Sequence, residues 1–139
     1  MAQGGDAAAA VTESTMTGYV TNIERDALDN SDFRRVLFTG PNVQLVLMAL
    51  KPGEDIGLET HAGHDQFIRV EAGKGVVRLN GTERLIEAGS AIVIPSGVEH
   101  NLVNTSNVPL RLYTLYSPPE HADGTVHHTK EDATANAHD

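Results

Sequence analysis

Residues Ile56–Gly75 read IGLETHAGHDQFIRVEAGKG, and they gather candidate metal ligands between two segments patterned as buried strand. Glu59 and His61 are two residues apart, so on an extended strand they face the same way. Gln66 follows His61 after a turn at Ala62 and Gly63, which lets its amide converge on the same point. A second stretch, Gly89–Asn104, reads GSAIVIPSGVEHNLVN: an apolar strand, a Pro95-Ser96-Gly97 turn, then His100 opening another alternating run and supplying a fourth donor.

Together the two stretches resemble the paired motifs of the cupin superfamily. Gly89, Pro95, Gly97, His100 and Asn104 match the second motif, and Gly57, His61 and Gly73 match the first. Two motifs at a proper separation are far more specific than one. The ligands depart from the pattern: Glu59 stands where the family usually has a His, and Gln66 where it usually has Glu. The resemblance spans residues 36 to 117 and implies an all-β, antiparallel jelly-roll barrel, the double-stranded β-helix of cupins.

Local chemistry along the rest of the chain leads to the same fold class. Turn signals recur every eight to twelve residues at Lys51-Pro52-Gly53, Glu71-Ala72-Gly73, Asn80-Gly81, Glu87-Ala88-Gly89 and Asn104 to Pro109. Asn80-Gly81, between VVRL and TERLI, is the strongest hairpin signal, since a type I′ turn needs positive φ at both central residues. The run Val43 to Leu50 is almost uniformly apolar, as in a strand covered on both faces within a sandwich or at a dimer interface. Upstream, Tyr19, Val20 and Ile23 suggest a short strand and Asp29 to Asp32 a polar turn. Arg34 and Arg35 stand just before a strand Val36 to Thr39. Two adjacent arginines can hold an anion, but a solvated strand edge or a subunit salt bridge is the reading their position supports.

The chain has 139 residues, enough for one domain with its own core. Ten Lys and Arg against nineteen Asp and Glu give a net charge of -9, which repels nucleic acid and anionic membranes. Without Cys there are no disulfides and no thiolate chemistry. No window has the roughly 20 apolar residues of a membrane span, and the start lacks a signal-peptide core, so a cytoplasmic location is expected. Residues 1–17 read as a disordered start, 18–117 as the barrel with N-terminal strands, and 118–139 as a partly flexible extension. Pro118-Pro119 takes that extension out of the sheet, and from Thr129 it reads as a frayed end. Its His121, His127 and His128 include a possible extra ligand or base over the barrel mouth, although tail histidines are usually solvated.

The expected metal set is Glu59, His61, Gln66 and His100, holding one divalent ion per chain. An unpaired carboxylate inside a barrel is costly without a cation, which draws Glu59 into the set. Gln66 offers a neutral amide oxygen. His64, in the turn, is expected to contact substrate or support the ligands, and Glu59 and His64 are the candidate catalytic groups. Two His and one carboxylate suit non-haem iron with open positions, while zinc, manganese and nickel tolerate the same donors. The first functional expectation is a dioxygenase-type oxidoreductase acting on a chelating enol, diketone or phenol. A sugar or keto-acid isomerase or lyase is the alternative, because the donors resemble the inner shell of mannose-6-phosphate isomerases with Glu and Gln exchanged. A third is a binding cupin without chemistry. The partners expected are a small-molecule substrate and a second copy in a homodimer.

Overall fold

A computed structural model describes residues 17–135. Among them, β1 (Arg34–Thr39), β2 (Gln44–Leu50), β3 (Asp65–Ala72), β6 (Ala91–Ile94), β8 (Leu110–Ser117) and β9 (Val126–His127) form a six-stranded sheet ordered β6-β3-β8-β2-β1-β9. A three-stranded sheet, β5-β4-β7, is made by β4 (Lys74–Leu79), β5 (Thr82–Glu87) and β7 (His100–Asn104). All pairings are antiparallel, and two bridges, Asp55 to Val103 and Glu59 to His100, lay the chain before β3 alongside β7. The result is the jelly roll expected from the sequence.

Alternation decides what fills it. On β2, β3, β6 and β8 the even-numbered side chains point inward, so Val46, Met48, Leu50, Ile68, Val70, Ile92, Ile94, Leu110 and Leu112 are buried and meet Val77, Ile86 and Leu102 of the smaller sheet. Each such side chain contributes about 1.5–3 kcal/mol by leaving water. The same inward register turns polar at one end. Gln66, Tyr116 and Gln44 lie side by side across β3, β8 and β2, with Thr114 buried in the next row. The apolar rows hold the barrel together and leave this polar end for a site.

The hairpin at Asn80-Gly81 forms as expected, with φ of 49° and 86° and Leu79 paired to Thr82. Other segments differ from the sequence reading. The short strand expected around Tyr19 to Ile23 does not form; residues 18–22 are irregular and Ile23 opens a helix, α1 (Ile23–Asp29). Asn22 caps it by accepting from the Arg25 amide, Glu24 and Asp26 sit in its first turn, and Ala27 is buried. Helix α1 packs on β2, β3 and β8, and Asp32 beyond it accepts from the Ala49 amide, so both faces of β2 are covered within one chain. Arg34 and Arg35 lie in β1, not before it, and alternation separates them: Arg35 pairs with Asp32 at 2.8 Å, whereas Arg34 is buried. A solvated edge is therefore wrong for Arg34.

The C-terminal segment leaves the sheet after Ser117 but returns, since β9 pairs with β1 and α2 (Lys130–Ala135) stands where a frayed end was expected. Gln44 fastens this return. Its side-chain oxygen accepts from the amides of Glu120 and His121, and its nitrogen donates to the His121 carbonyl. The expected disordered start lies, apart from residue 17, outside the described residues.

Candidate metal centre

Glu59 and His100 exchange backbone hydrogen bonds of 2.9 and 2.8 Å, a pairing that sets their side chains together at the polar mouth. His61 follows, and the Gly97 amide donates to its carbonyl at 3.0 Å, tying the turn of the second motif to the first. One ligand atom from each of Glu59, His61 and His100 lies within 4.8 Å of the others, near enough to share one cation. Glu59 Oε1 is 3.2 Å from His61 Nε2, and the imidazole centroids of His61 and His100 are 5.2 Å apart. Gln66 enters from β3 as the cross-strand neighbour of Tyr116, whose ring lies 5.9 Å from that of His61.

What these groups leave unused tests whether a metal fits. His100 Nδ1 is 3.0 Å from the Val98 carbonyl and donates to it, so its Nε2 carries the lone pair. Gln66 Nε2 donates to Thr114 Oγ1 at 3.0 Å, which turns the amide oxygen the other way. His100 Nε2 and Gln66 Oε1 are buried without a hydrogen-bond partner, and His61 Nε2 faces the Glu59 carboxylate 3.2 Å away. A buried acceptor left unmade costs about 1–3 kcal/mol, and two of them beside a carboxylate–imidazole pair call for a shared partner. A divalent cation meets that need with the donors present.

The electrostatics agree. Burial alone would raise the Glu59 carboxyl, but the His61 hydrogen bond and the charges of His61, Arg34 and His100 outweigh it and hold the group below its usual range. The Glu59 hydrogen bond pushes His61 up, against the effect of burial. Burial pushes the Tyr116 phenol up as well, keeping it neutral.

The expected residues separate in space. Glu59, His61 and His100 come together with Gln66 beside Tyr116, while His64 stands edge-on to His61 with ring centroids 6.1 Å apart, outside the donor cluster. Its Nδ1 is 2.8 Å from the Pro118 carbonyl and its Nε2 3.3 Å from Glu120, so it braces the returning C-terminal segment. Of the tail histidines, His121 packs edge-on against Tyr116 with ring centroids 5.2 Å apart, His127 contacts Arg34, and His128 pairs with Asp32 at the surface. Sequence reasoning missed Glu120, which lies 3.6 Å from His61 Nδ1, and Thr114, which orients Gln66. Thr114 had a signal, a hydroxyl in the inward register of LRLYTLYS; Glu120 had none.

An antiparallel jelly roll with imidazole, carboxylate and amide groups gathered at one mouth is the class of small β-barrel that this chain presents. The model of the cupin domain matches residues 46–116, and the chain belongs to the cupin family. It is 48% identical over 123 residues to the Bacillus subtilis protein YrkC, covering 84% of this chain and 66% of that one, just under two thirds of its length. The crystal structure of BH2720 from Bacillus halodurans is similar at 47% identity and a TM-score of 0.83, covering 84% of this chain and 93% of that one. An oxalate-binding protein of Thermotoga maritima is 36% identical over 68 residues, 49% of this chain and 56% of its own. Among the described residues no helix is long and apolar enough to cross a membrane.

Proposed function

We propose that this cupin holds one divalent metal ion on Glu59, His61, Gln66 and His100. Its substrate is a small molecule that chelates through two oxygens, an enol, diketone or phenol, in a dioxygenase-type oxidation. The observation that carries this reading is the pair of buried, unpartnered acceptor atoms on Gln66 and His100 beside the clustered Glu59 carboxylate and His61 imidazole. Two imidazoles and one carboxylate are the donors that suit iron while leaving positions for substrate. The bound metal supplies Lewis acidity and, as iron, redox chemistry with dioxygen.

The chain's own groups hold that arrangement. The Val98 carbonyl fixes the His100 tautomer, Thr114 aims the Gln66 oxygen, and Glu120 faces the far nitrogen of His61. The ring of Tyr116 packs against His61 and His121 and limits the water reaching the donors. Glu59 and His64 are the candidate catalytic groups of this reading, and His121, which lines a cavity of about 240 Å³ together with Glu59, is a further candidate base.

Elemental analysis of protein purified without added metal is the first test, followed by oxygen uptake by the iron-loaded protein across enols, diketones and phenols. Uptake dependent on one substrate supports the oxidation. Deuterium exchange into a keto-acid under nitrogen, with no oxygen uptake, would point to the isomerase chemistry instead. A second reading, a binding protein without turnover, draws support from the Thermotoga maritima relative, whose name is that of a binding protein. Saturable binding with silence in both assays would favour it.

A further inference from the structure

A guanidinium is charged at every pH a protein meets, so burying one without a carboxylate leaves a charge to be answered. Arg34 is only 7% exposed. Its Nη1 donates to His127 Nδ1 at 3.3 Å, its guanidinium carbon lies 5.3 Å from the Phe33 ring centroid, and its Nε is buried with no partner. No carboxylate of the described residues comes within ion-pair reach of it.

The side chain lines the cavity of about 240 Å³ that it shares with Glu59, Glu120, His121, His127 and Lys130. The other charges there are engaged. Glu120 faces His61 and His64, Lys130 pairs with Asp55, and Glu59 is 3.2 Å from His61 within the donor cluster. The Glu59 carboxylate feels the Arg34 charge but makes no direct ion pair with it, and once Glu59 serves a cation Arg34 has no carboxylate contact among the described residues.

We propose that Arg34 is the anion anchor of this site and that its ligand is a small carboxylic acid bearing a second oxygen next to the carboxylate, as in a 2-oxo acid. This rests on the metal reading above and narrows its chelating molecule to an acid. A carboxylate matches the planar fork of a guanidinium, whose free Nε–H and remaining Nη–H groups can grip it bidentately. The cavity, about 240 Å³, is smaller than the roughly 300–1,000 Å³ of drug-sized ligand sites and suits a small acid. Arg34 sets specificity by charge and is not one of the metal donors.

The test compares pyruvate with pyruvamide, its neutral isostere, by calorimetry on metal-loaded protein. Wild type should bind pyruvate about 10-fold or more tightly than pyruvamide. Arg34→Met should lose that preference, with neither metal content nor thermal stability reduced, since an apolar chain replaces a buried positive charge that has no carboxylate contact among the described residues. Arg34→Lys, which keeps the charge without the fork, should keep only part of the preference and serves as the second variant should Arg34→Met fold poorly. The Arg34 Nε–H resonance should move as pyruvate is added and stay still with pyruvamide. Equal pyruvate affinity in wild type and Arg34→Met, or an unmoved Nε–H signal, overturns the assignment. Protein that retains no metal overturns the metal reading alone, because the Nε–H titration still reports on Arg34 in the metal-free chain.

Discussion

An imidazole serves a cation only through a nitrogen without a proton, and each residue at this mouth shows where its proton or amide hydrogen has gone. His100 spends Nδ1 on the Val98 carbonyl, whereas His64 spends both nitrogens on Pro118 and Glu120. His100→Ala should therefore abolish tight metal binding while His64→Ala keeps metal near the wild-type level, measured by elemental analysis; equal losses would mean the wrong donor was chosen. Charge and placement separate in a second experiment. Glu59→Gln removes the one carboxylate of the set and should weaken divalent binding about 10 to 100-fold, and adding Gln66→Glu should restore it. A double variant that binds no better than Glu59→Gln would show that Gln66 does not face the ion. Glu59, His61 and His100 were legible because strand parity and motif spacing act over a few residues. Arg34 and Glu120 were not, because the chain that brings Glu120 and His127 to the mouth arrives by a tertiary return that no local period encodes.

Elements were legible where one local rule ruled alone. Asn80-Gly81 makes its hairpin because both residues take the left-handed conformation that few others tolerate. Around α1 two signals competed, and the capping Asn22 with acids in the first turn prevailed over the strand-forming Tyr19, Val20 and Ile23. Helix α2 carries a reciprocal cap in which Thr129 Oγ1 accepts from the Asp132 amide and Asp132 accepts from the Thr129 amide, a pattern hidden inside what looked like a polar tail. The close approach of β4 to β7 makes a further prediction. A Cβ on Gly75 would overlap the Val103 carbonyl oxygen, which belongs to a paired strand and cannot withdraw alone. Gly75→Ala should cost about 1–3 kcal/mol, seen as a fall in Tm. Acid should release α2 before the barrel. The Asn101 and Lys130 hydrogen bonds hold the Asp55 carboxyl below its usual value, so this contribution is complete above about pH 4 and is lost as pH falls below it. Hydrogen exchange at residues 125–135 should rise at low pH, and Lys130→Met should raise it already at neutral pH; protection independent of pH would refute the anchor.

For the whole molecule, the fold was readable from two motifs and regular turns, and α1 covers much of the outer face of β2. Beside it, apolar side chains stand in cross-strand register over five strands of the large sheet, half-buried at Phe67, Leu115, Leu45 and Phe38 and exposed at Val93. Tyr19 stacks on Phe38 at one end, and Val93, 66% exposed on the edge strand β6, lies open at the other. We propose that two copies meet on this row about a two-fold axis, since a self-complementary patch at a sheet edge closes with itself. Each chain carries a net charge of -9, so two copies repel one another and the dimer should tighten with added salt, opposite to an assembly held by ion pairs. Light scattering at micromolar concentration should give twice the chain mass in moderate salt. Val93→Lys should give the single mass with an unchanged Tm, because the side chain it replaces contributes little to the folded monomer. A wild-type protein that scatters as one chain at every salt concentration would end the proposal, and a dimer indifferent to Val93→Lys would place the interface elsewhere on the surface.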